Sequence, residues 1–410
     1  MTTRDRGQWI VLALLVISVT INYIDRTNLS IAASRLSSEL QLDPEKIGLL
    51  LSSFFWTYAA MQIVSGWLID RYSVYWVFAA GFFLWSAATA LTGLAGGFVT
   101  ILALRLLLGV GESVAYPAYS KIIAQGFPAD RHGLANGLID AGCKAGPALG
   151  LLIGAAIVGR YGWRPLFVGI GLVSMLWLAP WIWVSLRATR PSAHAAAHSG
   201  LELGPGLVEI AGQRSAWGTF FCLFCGNYVW YFLLTWLPWY LIRERHYSEA
   251  AMGRFGSTAF WAVGLASLAS GMLSDRLVRA GGSPTFVRKM FAAGGLIGAI
   301  VMVGVPLVES QNASLAVLIL ACISFGCYSS HPWLIAQTLA GPAAAGRWSG
   351  MQNAIGNLGG VVSPWLTGLI VRDTGQFAYA FAVVGLMLGL GAASYIFLIG
   401  RIEPIIWRPK

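Results

Sequence analysis

The sequence predicts an all-α membrane protein whose helices form two related six-helix bundles. Three observations carry that prediction. Of its 410 residues 57% are hydrophobic and only 11% charged, with a mean hydropathy of +0.68, whereas about 25% of a soluble domain is Asp, Glu, Lys or Arg. Apolar segments of about twenty residues recur almost without pause, about twelve in all, and each is the length a helix needs to cross roughly 30 Å of hydrocarbon. A short motif also repeats at half-length: Gly66-Trp-Leu-Ile-Asp70-Arg71 and Gly271-Met-Leu-Ser-Asp275-Arg276 stand 205 residues apart. Each copy ends the second helix of its half, as in transporters built from parallel repeats.

Taken in order, the segments begin near Ile10, Gly48, Val74, Phe98, His132 and Pro165, then near Ser215, Met252, Lys289, Ser314, Trp348 and Phe377. The longest polar interval, Arg187 to Arg214, divides them six and six. The expected organisation is a bundle over 1–187, a cytoplasmic linker over 188–214 and a second bundle over 215–410. The net charge of +10 is read as topology rather than as nucleic-acid binding. A cytoplasmic N-terminus places about sixteen Lys and Arg inside and about eight outside, so both termini are expected in the cytoplasm. Arg4 and Arg6 before an apolar run imitate a signal peptide, but Asn22, Asp25 and Arg26 interrupt that run and its length suits a retained span. All five cysteines fall in predicted spans. Cys222 and Cys225 spell C-x-x-C without a soluble strand and helix around them, and read as packing residues.

The first segment carries the doublet Asp25-Arg26 near its middle. A charge at helix centre costs about 2.5 to 3.5 kcal/mol even on gentle insertion scales, so such residues face a cavity or a partner within a bundle. Adjacent residues project about 100° apart on a helix, and the expected partners of this pair lie on the fourth segment. There Arg105 and Glu112, two turns apart, share a face with Gly109 and Tyr116. In the fifth segment Asp140 precedes Lys144 by four residues, the favourable order for an intrahelical ion pair. Gly142, Gly146, Gly150 and Gly154 line nearly the opposite side and suit close helix packing, which turns the Asp140 and Lys144 face toward a cavity.

The second half offers neutral polar and aromatic groups instead: Asn227, Tyr228 and Tyr231, then Ser330, His331 and Trp333, then Asn353 and Asn357. The asparagines, four apart, either line the cavity or join helices. His331 is either a packed residue or a proton relay. Trp163, Trp236 and Trp239, near segment ends, are read as interfacial anchors. The repeated turns supply Asp70, Arg71, Asp275 and Arg276, which either bond a helix end in the opposite half and gate it, or cap their own helices.

Three cations and three acids in one half suit an anionic substrate whose binding is linked to protonation. An arginine that must release its load needs a competing acid. Asp25 and Glu112 are placed for this: protonation of either frees Arg26 or Arg105 to clamp a substrate carboxylate with two parallel hydrogen bonds. Deprotonation reclaims the arginine. The bundles then rock around a midplane site.

The G-x-L-x-D-R turn resembles the loop motif of the major facilitator superfamily, although both copies lack the basic cluster that often follows. A closer resemblance lies in Asn22-Tyr-Ile-Asp25-Arg26-Thr-Asn28-Leu29, in Arg105-Leu-Leu-Leu-Gly109-Val-Gly-Glu112-Ser-Val-Ala-Tyr-Pro117 and in Asn353 to Pro364. Together, over essentially the whole chain, these resemble the anion:cation symporter family of that superfamily. Its bacterial and animal members carry organic anions such as sugar acids, sialic acid or glutamate, many with protons. The resemblance implies proton-linked acids at Asp25 and Glu112, anion-handling arginines at Arg26 and Arg105, and substrate contacts from Tyr58, Ser330, Trp333 and Asn353. Asp140, Lys144, Asn227, Tyr228, His331 and Asn357 are further cavity candidates. Where sugar-acid members lead one to expect an uncharged polar group on the fifth segment, this chain has Cys143 between Asp140 and Lys144. Lys144 either adds an anchor for a dianion or forms a structural pair with Asp140.

The expected function is proton-coupled symport of an organic anion, a sugar acid or other carboxylate, across a bacterial cytoplasmic (inner) membrane. The proton is the coupling ion; no other cofactor and no metal is expected. The expected partners are the small anion and membrane lipid, with no nucleic acid, and the protein is expected to act as a monomer. Exchange is the alternative, because Gly142-Cys-Lys-Ala-Gly146-Pro147-Ala-Leu-Gly150 resembles the fifth-segment motif of antiporters. A non-transporting receptor or membrane enzyme is the remote one. The sequence holds no H-E-x-x-H, no G-x-S-x-G and no clustered metal ligands.

Overall fold

The structure, a computed structural model, describes residues 3–127, 132–188 and 205–407. Twelve helices among them are long and apolar enough to cross a membrane: Gly7–Leu40 (span 1), Pro44–Ile69 (span 2), Val74–Thr92 (span 3), Phe98–Gly126 (span 4), Leu134–Tyr161 (span 5), Trp163–Leu186 (span 6), Arg214–Arg243 (span 7), Glu249–Arg279 (span 8), Pro284–Gly304 (span 9), Gln311–Gly341 (span 10), Ala344–Thr374 (span 11) and Phe377–Leu398 (span 12). Much of the expected linker, residues 189–204, lies outside the described residues. Its last part forms the short helix Leu207–Ala211, where the Glu209 carboxylate accepts from the Gly206 N–H at 3.0 Å.

Sequence dictates where these helices bend. A proline lacks an N–H, so the carbonyl four residues earlier loses its helical donor and the ring crowds that turn. Pro117 does this to Ser113, and span 4 breaks into Phe98–Glu112 and Ala115–Gly126. Pro180 does the same to span 6, which turns at Leu176 and Trp177. In span 10 the break falls at Ser330, just before Pro332. Spans 10 and 11 are separated at Gly341, whose φ of 64° lies in the left-handed region that glycine adopts without strain.

The chain forms two compact units, Met1–His198 with Leu234–Ser257, and Ser199–Leu233 with Thr258–Lys410. The end of span 7 and the start of span 8 therefore group with the first unit, rather than with the second half to which their place in the chain assigned them. In the first unit, span 1 packs most extensively on span 5, span 4 on spans 2 and 3, and span 3 on span 6. The span 5 glycines permit the first of these: a Cβ at Gly146 would lie 2.5 Å from Tyr23 Cβ, and one at Gly142 2.6 Å from Val19 Cγ1. In the second unit span 9 packs on spans 10 and 12. A glycine again brings the first and fifth helices of the half together, since a Cβ at Gly359 of span 11 would lie 2.8 Å from the Tyr228 backbone nitrogen of span 7.

Candidate functional site

In the first unit, spans 1 and 4 place an acid-base cluster in the interior. Arg26 Nε donates to Glu112 Oε2 at 2.9 Å, with the two side chains 3% and 0% exposed. The Arg26 guanidinium lies among three rings, its Cζ 4.8 Å from the Tyr23 centroid, 4.9 Å from Phe54 and 4.6 Å from Tyr58. Such contacts are each worth about 0.5 to 2 kcal/mol, the upper figure where the cation is desolvated, so the cation is held even when its carboxylate changes partner. Phe54 and Tyr58 stack on each other at 5.2 Å. Arg105 also meets this wall, its Cζ 5.3 Å from the Phe54 ring, and donates from Nε to the Leu50 carbonyl at 3.3 Å.

Asp25 points elsewhere. Its Oδ1 accepts from Asn28 Nδ2 at 3.2 Å. Thr89 of span 3 stands beside the same carboxyl, and Arg105 and Glu112 act on it through space. Asn22 stands beside Glu112. Several fully buried polar atoms here meet no hydrogen-bond partner: Asp25 Oδ2, Glu112 Oε1, Arg105 Nη1, Asn28 Oδ1 and both amide atoms of Asn22. Each such atom costs about 1 to 3 kcal/mol. A site tolerates that where a ligand, a proton or water completes the set.

Span 4 breaks immediately after Glu112, and the break is pinned to span 2 by a 2.7 Å bond between the Ser65 and Ser113 hydroxyls. A discontinuous helix at the charged site is common where secondary transporters bind substrate. Beyond the break, Tyr116 bonds the Cys143 thiol at 2.8 Å and the Tyr23 hydroxyl at 3.3 Å, tying span 5 to the cluster. The expected continuous face from Arg105 to Tyr116 is thus two faces joined by a turn. Lys144 Nζ and Asp140 Oδ1 are 3.8 Å apart, with the Asp140 side chain 63% exposed.

The second unit holds a neutral network. Tyr231 donates to Asn357 Oδ1 at 3.0 Å, and Asn357 Nδ2 donates to the Asn353 carbonyl at 3.0 Å and to Asn353 Oδ1 at 3.1 Å. Asn227 is half-buried beside Gly356. Tyr228 is fully buried, with Ser363 and Thr367 beside its hydroxyl. At the span 10 break Ser330 bonds both Ser270 Oγ at 3.2 Å and His331 Nδ1 at 3.1 Å. The buried His331 ring stacks on Phe291 at 5.5 Å. Trp333 is 39% exposed.

One expectation changes. Trp163, Trp236 and Trp239 are buried rather than lying at an exposed interface: they are 2%, 0% and 6% exposed. Trp163 donates to Glu39 Oε2 at 2.6 Å, and Trp239 lies under the Arg243 guanidinium. Of the repeated turns, Arg71 lies over the Trp67 ring of its own helix, and Asp275 and Arg276 are exposed. The Asp70 side chain lies outside the described residues. A cavity of about 760 Å³ opens at the Leu40 end of span 1, lined by Arg35, Glu39 and Arg243 among others. There Arg243 bonds Ser34 and Ser38, Arg35 pairs with Glu249, and Arg164 pairs with Glu39. Each of these charges has a hydrogen-bond or ion-pair partner, and Arg35 and Glu39 lie about 15 and 21 Å along span 1 from Asp25 at 1.5 Å per residue.

Sequence reasoning missed Tyr23 and Phe54 as the aromatic cradle of Arg26. The signal was available in the spacing of Phe54 and Tyr58, four apart on one face of span 2.

Comparison with known proteins places these features. Residues 15–364 match the model of the Major Facilitator Superfamily. The chain is 29% identical to a probable sulfoacetate transporter of Cupriavidus necator, over 97% of this chain and 95% of that one. It is 28% identical to a probable galactarate/D-glucarate transporter of Escherichia coli, over 98% and 95% of the two chains. With a D-galactonate transporter of Escherichia coli it shares 27% over 98% and 97%. A crystal structure of a bacterial homolog of the human lysosomal transporter Spinster, inward-facing and unoccupied, superposes with a TM-score of 0.83 at 19% identity, covering 96% of this chain and 97% of that one. This integral membrane protein with its twelve candidate spans belongs to the Major Facilitator Superfamily, and these bacterial relatives are described as transporters of sugar acids or of another organic anion.

Proposed function

We propose that the protein is a proton-coupled symporter of a small organic anion bearing a carboxylate, operating by alternating access in a bacterial cytoplasmic membrane with both termini cytoplasmic. The carrying observation is the buried Arg26–Glu112 pair, which lies in one cluster with Asp25 and Arg105. An anion that takes Arg26 must displace Glu112, and a displaced buried carboxylate is tolerable only once protonated or re-paired. Substrate and proton therefore enter together. When the proton leaves, Glu112 recovers Arg26 and the anion is expelled. Arg105, and Tyr58 with the other rings around Arg26, hold the anion-binding face. Asn353, Asn357 and Tyr231 are the hydrogen-bonding groups that would recognise substrate hydroxyls, with Ser330 and Trp333 as further contacts. Arg71, Asp275 and Arg276, with Asp70, are assigned to gating, and Asp140 with Lys144 to a structural pair.

The test is uptake into proteoliposomes with a panel of sulfoacetate, D-glucarate, D-galactonate and D-glucuronate, preceded by a thermal-shift screen of the same anions. A ligand at 100 times its dissociation constant stabilises by about 2.7 kcal/mol. At least one panel anion is expected to accumulate in empty vesicles under an inward proton gradient alone. Accumulation only after preloading with a counter-substrate would assign exchange instead, and a response confined to cations or neutral sugars would sink the anion reading.

A further inference from the structure

Several buried hydroxyls in this unit spend their protons on their own helices. Ser18, Thr27, Ser30, Ser53 and Thr92 each donate to a carbonyl three or four residues back, at 2.7 to 2.9 Å. That back-bond is the default for a helical Ser or Thr in an apolar setting. Thr89 and Ser86 of span 3 depart from it: they are 3% and 0% exposed, yet neither hydroxyl closes a hydrogen bond. Thr92, three residues on in the same helix, keeps its bond to Ala88. The Thr89 hydroxyl is therefore available, and it stands beside the Asp25 carboxyl. Of that carboxyl, Oδ1 is taken by Asn28 and Oδ2 has no partner. A buried hydroxyl of span 3 thus stands beside a buried carboxyl of span 1, and the Thr89 Oγ1 and Asp25 Oδ2 atoms each lack a hydrogen-bond partner.

We propose that Thr89 is the positioning residue of Asp25, which is read above as a proton carrier; the inference rests on that reading. A hydroxyl can do what an amide N–H cannot: it donates to the carboxylate, and after a rotation about one bond it accepts from the protonated carboxyl. Thr89 thus holds Asp25 in place in both states, on the span 3 side, while Glu112 answers to Arg26. The two acids are separated in role by their neighbours. Asp25 exchanges its proton beside Thr89 and Asn28, and Glu112 competes with substrate for the arginine. The charged groups acting on Asp25 are Glu112 and Arg105 from span 4, while Arg26 on its own helix is paired with Glu112.

The experiment needs no substrate. Infrared difference spectra of the full-length protein in liposomes are recorded across a pH titration, and the carboxylic carbonyl band that disappears in Asp25→Asn is assigned to Asp25. In Thr89→Val that band is expected at higher frequency, with its pH midpoint displaced, because the protonated carboxyl has lost a partner. Thr89→Ser, which keeps the hydroxyl, is expected to restore both. Melting temperatures check that the variants fold, and Thr89→Ala takes the place of Thr89→Val if the latter does not. An Asp25 band unmoved in frequency and midpoint by loss of the hydroxyl overturns the proposal. If Asp25→Asn removes no titrating band in the wild-type background, the proton-carrier reading of Asp25 itself is wrong, and the positioning role falls with it.

Discussion

Glu112→Gln tests the competition at the centre of the proposed cycle. In the wild type, Glu112 holds Arg26 through a charge-assisted bond of 2.9 Å in a wholly buried setting. Such bonds contribute about 1.5 to 3 kcal/mol, against about 0.5 to 1.5 kcal/mol for a neutral one. Glutamine keeps the shape and one acceptor oxygen but loses the charge, so an incoming carboxylate is relieved of roughly 1 to 2 kcal/mol of competition for Arg26. At about 1.4 kcal/mol per decade, the variant should bind the anion roughly five- to thirtyfold more tightly at neutral pH. The three rings around the guanidinium remain, so Arg26 stays where it is.

Titration calorimetry on the purified protein, with the panel anion that best stabilises the wild type, reads the effect. Wild-type affinity should fall as pH rises, because the proton that keeps Glu112 off Arg26 is withdrawn. In Glu112→Gln that fall should be shallower and proton-driven uptake at least about tenfold slower, since a site that cannot reclaim its arginine releases its load slowly; residence time governs most affinity differences. A Glu112→Gln protein that folds but binds tenfold more weakly, beside an Arg26→Ala protein that binds normally, would refute the reasoning.

Other consequences are more local. Asp25→Asn should abolish accumulation driven by a proton gradient yet retain exchange of labelled for unlabelled anion, as vesicle counterflow would show. Gly146→Ala should lower the melting temperature, because its Cβ would lie 2.5 Å from Tyr23 Cβ and 2.8 Å from the Thr20 carbonyl, an overpacking that costs about 1 to 3 kcal/mol. Gly137→Ala, on the same helix with nothing within 4 Å, should leave it unchanged or raise it, as the helix gains about 0.5 to 1 kcal/mol. Tyr231→Phe should destabilise by about 1 to 3 kcal/mol by orphaning the buried Asn357 oxygen, and thermal unfolding measures it.

The spans were legible because the bilayer imposes one requirement on every helix, and hydropathy reports it directly. Expected and observed starts agree at Val74, Phe98 and Phe377, and differ by five residues at the ninth, where Pro284 rather than Lys289 opens the helix. That Arg26 finds its partner on span 4 was legible for the same reason, since an embedded charge must find an opposite one. Other features depend on neighbours that a single chain does not display. Trp163, Trp236 and Trp239 sit where interfacial rings usually sit, but other helices cover them. The break after Glu112 was signalled by Pro117 four residues beyond Ser113, yet the same letters read equally well as a motif on an unbroken helix. Thr89 looks like any threonine in an apolar segment until its hydroxyl is seen to decline its own helix.

The charge count of the cluster constrains stoichiometry. Asp25 and Glu112 offset Arg26 and Arg105, so the empty cluster with all four ionised is neutral. Loading a monoanion adds one negative charge to the interior, at a cost of about 2.5 to 3.5 kcal/mol, a disadvantage of roughly seventy- to four-hundredfold. One proton on either acid cancels it. A dianion needs both. The proposed cycle is therefore electroneutral for either substrate, with one proton for a monocarboxylate such as D-galactonate and two for a dicarboxylate such as D-glucarate. Uptake at fixed pH gradient should then be insensitive to a potassium diffusion potential imposed with valinomycin. In Asp25→Asn, where one carboxylate is gone, loading a monoanion without a proton already balances, so exchange becomes the electroneutral mode. A wild-type rate that rises severalfold with an inside-negative potential would mean that protons outnumber substrate charges, and a proton acceptor outside these two acids would then be required.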